Sequence, residues 1–399
     1  MSEPWLSIVG IGEEGLEGLN PSAHKAVTAA EVIVGGKRHH ALTQALNAER
    51  ITWPSPFNHM LEALEGLKGR PTCVLVTGDP VWYSAGTKIA DHFGADDIRI
   101  HPHVSAFQLA CVRMGWALQD AETLTVHGRA VGDILSFVAP RAKLVVLTQD
   151  GDTPSQVAEL LSGAGYGDSR MTVLADMGGA NETRLDGVAS RWSEIVPSLH
   201  TLCVECSSNP DVPTLPRGPG LPDDAFEHDG KMTKRDLRAI TLAKLAPRPD
   251  ELLWDVGAGC GSVGIEWMRS ARGARSIGLE PHAERRAMAE RNAHKLGTSR
   301  FELVDGTAPD ALSGLDKPDA VFIGGGLSQE TVDASLAALK NHGRLVANAV
   351  TLESEQLLIQ LHQHFGGELT RISIAHADAV GRYRGWRSAM PITQWSLVT

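Results

Sequence analysis

Short apolar runs recur along this chain, each ending in glycine, proline or an acid and each followed by a stretch of helical periodicity. In the first half they are WLSIVGIG at 5–12, VIVGG at 32–36, TCVLVTGDP at 72–80, IRIHPH at 98–103, LTVHG at 124–128 and LVVLTQD at 144–150. Asn20–Pro21 reads as the N-cap and first-turn proline of a helix. Such alternation predicts α/β layers rather than separate α and β blocks. The runs MTVLADM at 171–177, ETRLDG and TLCVEC then follow with little helical pattern between them, which suits antiparallel pairing.

Residues 208–222, SNPDVPTLPRGPGLP, hold five of the 21 prolines and no hydrophobic period, so they predict a linker or surface crossover. The expected organisation is a domain at 1–207, a linker at 208–220 and a domain at 221–399. The second domain starts with a helix over 232–245 and continues as LLWDV, SIGLE, FELVDG, AVFIGG, RLVANAV and ELTRISIAHA, with helices such as 282–296 and 328–340 between them. WSLVT at the end supplies a last strand that can lie antiparallel. This pattern predicts a doubly wound sheet with its ligand at the carboxyl ends of the strands.

The most informative stretch is ELLWDVGAGCGSVGIEWMR at 251–269. An apolar strand ends in Asp255 and breaks at Gly257; Gly257, Gly259 and Gly261 make a tight turn, and an amphipathic helix follows. Glycine lets the backbone turn sharply and a ligand approach closely, and the free N–H groups of the first helical turn face that ligand. Glu280 closes the next strand roughly twenty residues on, where such folds place a carboxylate on ribose hydroxyls. Residues 259–264, GCGSVG, also match a dinucleotide pattern. Counted from Gly257, however, the third glycine position holds Ser262. Asp255 before the glycines would repel a pyrophosphate, yet suits the ammonium of S-adenosylmethionine (SAM). SAM is therefore favoured over a nicotinamide, with a purely structural turn as the remaining reading.

At 399 residues the chain exceeds what one core usually organises. Its 42% hydrophobic and 21% charged content is ordinary for a soluble globular protein. No apolar run approaches a membrane span, and the opening MSEPWLSIVG lacks the regions of a signal peptide. Five cysteines without framework spacing fit a reducing cytoplasm. A net charge of −11 argues against a nucleic-acid partner.

In the first half, Gly78-Asp79-Pro80 by itself reads as a βα turn. Together with Val9–Gly12, HVSAFQLACVRMG at 103–115 and the run from Leu147 through Thr183, it resembles the tetrapyrrole methylase family over nearly all of residues 5–206. That resemblance implies two α/β halves with a cleft holding SAM, contacted by Gly78, Asp79, Ser105 and Ala106, with His127 and Met177 as weaker candidates. The family's usual Pro-Gly-Val-Ser reads Pro102–His103–Val104–Ser105 here. In the second half, LPDDAFEHDGKMTKRDLR at 221–238, the glycine turn, LVDGTAPDAL at 303–312 and VFIGGG at 321–326 resemble the Rossmann-like decarboxylating precorrin methyltransferase domain. The SAM contacts it implies are Thr233, Gly257, Ala258, Gly259, Cys260, Gly261, Glu280 and Ala308.

The combination resembles the bifunctional precorrin methyltransferases of cobalamin biosynthesis. It implies C-5 methylation of precorrin-6B by the first domain, and C-15 methylation with loss of the ring C acetate carboxylate by the second, one SAM serving each. The chemistry is coherent: C-methylation depends on positioning an electron-rich carbon, and the macrocycle is itself the electron sink for decarboxylation. Such a substrate carries many carboxylates, so an acidic chain must supply local cations. Arg382, Arg384 and Arg387, in a glycine-containing loop, are the candidate substrate cluster; the other reading is a solvated basic loop. Lys37, Arg38, His39 and His40 form a weaker one. Cys203-x-x-Cys206, His101/His103 and His362/His364 lack the further ligands a metal needs, so no metal is expected. Cys260 has no histidine nearby in sequence to make it a nucleophile. RNA or protein modification by the first fold, and a scaffold role for one domain, are the competing readings; a homo-oligomer is the expected assembly.

Overall fold

The computed structural model describes residues 4–54 and 59–399; the first three residues of the stretch read for a signal peptide lie outside it. The chain forms two compact units. One runs to Val131 and resumes over Ala139–Val212; the other comprises Gly132–Val138 and Pro213–Thr399.

In the first unit, β1 (Leu6–Ile11), β2 (Val32–Gly35), β3 (Glu49–Thr52), β4 (Thr72–Thr77) and β5 (Ile98–His101) build a sheet of order β3-β2-β4-β1-β5. Every pair in it is parallel. Leu6, Ile8, Val34, Val74 and Val76 face Met60, Leu64 and Ile89 on one side. Val9, Ile11, Ile33 and Leu75 face Ala23 and Val27 on the other. Strands covered on both faces read as continuous apolar runs, which is why these were legible. β3, with the sequence ERIT, sits on the edge and carries no apolar run, so its pattern does not announce it.

The second sheet of this unit contains β6 (Ala121–Thr125), β7 (Lys143–Leu147), β8 (Arg170–Ala175), β9 (Thr183–Val188) and β10 (His200–Glu205), ordered β6-β7-β10-β8-β9. Only β6 and β7 pair in parallel; β10 runs antiparallel to β7 and β8, and β9 antiparallel to β8. The strand-rich end of the first half is thus antiparallel, as its short connections require.

The second unit holds one seven-stranded sheet. Its strands are β11 (Leu252–Val256), β12 (Arg275–Leu279), β13 (Glu302–Val304), β14 (Ala320–Ile323), β15 (Arg344–Ala349), β16 (Glu368–Ile372) and β19 (Ile392–Val398), in the order β13-β12-β11-β14-β15-β19-β16. The first five pair in parallel, and β19 lies antiparallel between β15 and β16. Strand order reverses between β11 and β14, the switch point at which such sheets bind ligands. The segment read as one strand, ELTRISIAHA, divides: β16 joins the sheet, while β17 (Ala375–Val380) pairs with β18 (Tyr383–Ser388) in a separate hairpin.

The proline-rich stretch packs at both ends instead of hanging free. Asn209 N donates to Gly165 O at 2.8 Å. Leu215 packs on the second unit's core and Leu221 is fully buried. The units therefore divide between Val212 and Pro213, inside the stretch. Nothing in the hydrophobic pattern marks Gly132–Val138 as part of the second unit.

Candidate functional site

In the second unit the turn after β11 has Gly257, Gly259 and Gly261 at φ +76°, +58° and +80°, conformations that side chains resist. A Cβ on Gly257 would come within 2.7 Å of the Gly325 backbone, in the glycine run after β14, whereas one on Gly259 would meet open space. Gly257 thus permits a close crossing of two loops, and Gly259 leaves a face open to a ligand. Leu279 O accepts from both Gly257 N and Ala258 N at 3.0 Å. Glu280, 3% exposed, accepts from Gly259 N through Oε2 and from His282 N through Oε1, each at 3.0 Å. A carboxylate has about four acceptor positions, so two are left beyond these bonds.

Asp255 is also buried, and its Oδ2 accepts from Gly264 N at 2.9 Å, in the first turn of the helix Ser262–Ser270. Burial, helped by the nearby Glu280 charge and opposed by the Gly264 N–H, pushes its carboxyl up from 3.8 to about 7. Asp255 therefore braces the turn from beneath; the open anionic partner for an ammonium that its position suggested is not what the fold makes of it. The folded chain holds this proton while the unfolded chain has lost it between about pH 4 and 7. Its stabilising contribution is complete below about pH 4 and disappears as pH rises through about 7. Asp255→Asn has no proton to lose. Urea midpoints at pH 5 and pH 8 should show wild type losing ground to the variant at the higher pH; a pH-independent gap would mean a carboxylate charged throughout.

Cys260 is buried, which raises its thiol pKa, and its carbonyl accepts from Asn292 Nδ2 at 3.0 Å. Its side chain packs in a core cluster with Ile265, Ala289 and Phe301. Thr233 and Ala308 lie on other segments. Ala308 packs against the sheet's core, and the Thr233 carbonyl accepts from Arg238 Nη1 at 2.6 Å. Arg238 is wholly buried and its Nε donates to Glu266 Oε1 at 2.6 Å, on the helix that follows the glycine turn. Glu266 in turn accepts from Gly220 N and Leu221 N at 2.6 and 2.9 Å. This buried pair ties the segment carrying Thr233 to the helix behind the turn. A charged pair inside a core is not signalled by any periodic pattern.

In the first unit, a cavity of about 640 Å³ is lined by Gly78, Asp79, Ser105, Ala106, His127 and Met177 together. Gly78 has φ +65°, and a Cβ on Gly10 would fall 2.1 Å from its carbonyl oxygen. Asp79 Oδ1 accepts from Val81 N at 2.8 Å, which closes the turn after β4. Ser105 caps the helix Ala106–Met114 reciprocally with Gln108, so its hydroxyl shapes the loop. His103, at the position where the family resemblance led to the expectation of a glycine, is not among the residues with positive φ and lies against Gly10 and Gly12. Trp82, Tyr83 and Phe107 form an aromatic wall, with ring centroids 5.0 Å apart for Trp82–Phe107 and 5.8 Å for Tyr83–Phe107. Thr77 and Arg129 also line the cavity, and sequence reasoning passed over both.

Residues 6–191 match the family model of tetrapyrrole (corrin/porphyrin) methylases, and residues 224–399 that of the precorrin methyltransferase domain. A precorrin-6Y C(5,15)-methyltransferase (decarboxylating) from a Sinorhizobium species is 43% identical over 396 residues, covering 98% of this chain and 96% of its own length. The protein of that name from Mycobacterium tuberculosis (strain CDC 1551 / Oshkosh) is 40% identical over 400 residues, covering 98% and 99%. This chain belongs to the family of decarboxylating precorrin-6Y C(5,15)-methyltransferases. Among solved structures, the C-terminal domain of precorrin-6Y C5,15-methyltransferase from Rhodobacter capsulatus is 51% identical, covering 46% of this chain and 100% of that chain at a TM-score of 0.45. Membership of the decarboxylating precorrin-6Y methyltransferases implies SAM as the methyl donor. The open face at Gly259 and the spare acceptor positions of Glu280 fit that donor.

The substrate of a decarboxylating precorrin methyltransferase is a precorrin, which carries several carboxylates. Arg382, Arg384 and Arg387 lie on the β17–β18 hairpin, not in an irregular loop. Side chains alternate along a strand, so Arg384 and Arg387 project from opposite faces of it. Arg387 pairs with Asp378 at 3.1 Å, and Arg382 lies over the Tyr383 ring at 5.0 Å. The three are thus not one cluster. No helix among the described residues is long and apolar enough to cross a membrane, and no group of three or more His, Cys, Asp or Glu among them could hold a metal ion.

Proposed function

We propose that this chain uses one SAM in each unit to methylate precorrin-6B at C-5 and C-15. It also releases the ring C acetate carboxylate as carbon dioxide, giving precorrin-8 for cobalamin synthesis. The observation that carries this reading is the near full-length likeness to relatives named for both methylations and the decarboxylation. The bound donor would supply a methyl on a sulfonium. In the second unit, Gly257, Ala258, Gly259, Cys260 and Gly261 would cradle it, Glu280 would accept from its ribose hydroxyls, and Thr233 and Ala308 would flank it. In the first, Gly78, Asp79, Ser105 and Ala106 would serve. No nucleophile from the protein is needed, because the enamine-like carbon of the substrate attacks the methyl as the thioether leaves, and holding that carbon in line with the sulfonium supplies much of the rate. C-15 methylation and decarboxylation are assigned to the second unit and C-5 methylation to the first. The reading also includes a homo-oligomer at work in the cytoplasm without a nucleic-acid partner, in keeping with the net charge of −11.

Mass spectrometry of the precorrin after incubation with the chain and SAM tests the whole reading. Gain of two methyls with loss of one carbon dioxide is expected; one methyl without that loss would overturn it. For the hairpin, Arg382 and Arg384 are assigned to substrate carboxylates. Changing both to Ala should raise the KM for the precorrin roughly tenfold, the scale of one charged hydrogen bond, at unchanged SAM affinity. Equal losses for both ligands would mark the hairpin as structural.

A further inference from the structure

The cavity of the first unit contains a donor array beyond the four residues proposed to hold SAM there. Arg38, on the helix Lys37–Leu42, and Arg129 both line it, as does Thr77 at the end of β4. Arg38 Nη2 donates to Thr77 Oγ1 at 2.7 Å, and its Nη1 is paired with Glu13, another lining residue. His39 fixes the hydroxyl from behind. Its Nδ1 accepts from Gly36 N at 3.1 Å, so the ring proton sits on Nε2 and is donated to the same Thr77 oxygen at 3.1 Å. Burial, together with the charges of Arg38 and His40, lowers the His39 pKa to about 4, so the ring stays neutral and keeps that tautomer. The Thr77 oxygen therefore accepts twice, and its own proton is left to donate.

Arg129 lies with its guanidinium over the Tyr83 ring, 5.6 Å from the centroid, and has no carboxylate partner among the described residues. Tyr83 holds a left-handed backbone, φ +50°, with its hydroxyl donating to Thr123 O at 3.1 Å. Strain of that kind persists only where the surroundings enforce it, and here it keeps a flat ring beneath the cation. The cavity thus offers one guanidinium without a carboxylate, one held by an internal acid, a directed hydroxyl, and an aromatic wall. That is the complement of a flat macrocycle with acidic side chains.

We propose that Arg38, together with the Thr77 hydroxyl, and Arg129 bind two side-chain carboxylates of the tetrapyrrole in the first unit. Glu13 occupies Arg38 until a substrate carboxylate displaces it. This rests on the function proposed above and adds to it the residues that hold the macrocycle for C-5 methylation.

The test uses the full-length chain, the precorrin and SAM labelled with ¹³C in its methyl, with the C-5 and C-15 methyl signals followed separately by NMR. Arg38→Gln and Arg129→Gln should each raise the precorrin KM for the C-5 signal on the order of tenfold or more, with kcat much less affected. SAM affinity by calorimetry and the C-15 signal should stay within about twofold of wild type, the scatter expected of substitutions that touch neither. Glu13→Gln, which releases Arg38, should lower that KM. A C-5 KM unchanged in both arginine variants overturns the proposal. So does a parallel fall in SAM affinity, which would assign the guanidinium groups to the carboxylate of SAM. Arg129→Gln guards against misfolding, since among the described residues the side chain it removes is held by a ring contact and by no carboxylate. Absence of any methyl signal in wild type would sink the proposed function itself, and this inference with it.

Discussion

Glu280→Ala should weaken SAM binding at the second unit roughly ten- to hundredfold, the range for losing a charged hydrogen-bond partner, and leave binding at the first unit intact. Two effects combine in this loss. On the proposed reading the ribose hydroxyls would lose their acceptor, and the N–H groups of Gly259 and His282 lose the carboxylate that holds them at 3.0 Å. Glu280→Asp keeps the charge with one methylene fewer and should fall between wild type and Ala. Calorimetry resolving two sites per chain reads this directly. Unchanged affinity at both sites in the Ala variant would remove Glu280 from the ribose.

Blocking one unit at a time should separate carbon dioxide release from the C-5 methylation. Ala106 lines the first cavity at the start of its helix, so Ala106→Trp should fill the space a ligand needs. The intact chain should then still release carbon dioxide and gain the C-15 methyl, but not the C-5 methyl. Gly257→Val does the converse. A side chain there meets the Gly325 backbone within 2.7 Å on a residue with φ +76°, so the crossing of the two loops must open and carbon dioxide release should stop. Release that falls equally in both variants would overturn the division of labour.

Several features were legible because they are local in the chain. Strands buried on both faces appear as apolar runs, and the switch from period two to helical spacing gives the α/β order. The glycines at 257, 259 and 261 declare a turn because no other residue adopts positive φ so readily. Glu280 lies at the end of the neighbouring strand β12, so its approach to the turn follows once β11 and β12 pair in parallel. The candidates Gly78, Asp79, Ser105 and Ala106 meet in one cavity for the same reason: each sits at or just beyond the end of a strand in one parallel sheet.

What only the tertiary structure decided depends on distant partners and on burial. Arg238 and Glu266 look like surface charges on two helices until packing removes both from water and aims them at each other. Asp255 carries a formal charge in sequence, yet burial raises the pKa of its carboxyl to about 7. Arg384 and Arg387 are neighbours along the chain, but the two-residue alternation of the hairpin strand turns them to opposite faces. Arg38, Thr77 and Arg129 are far apart in sequence and share one cavity because the ends of different strands converge there. Sequence records each residue's own tendency to be buried or exposed; which charges meet, and in what dielectric, is set by the fold.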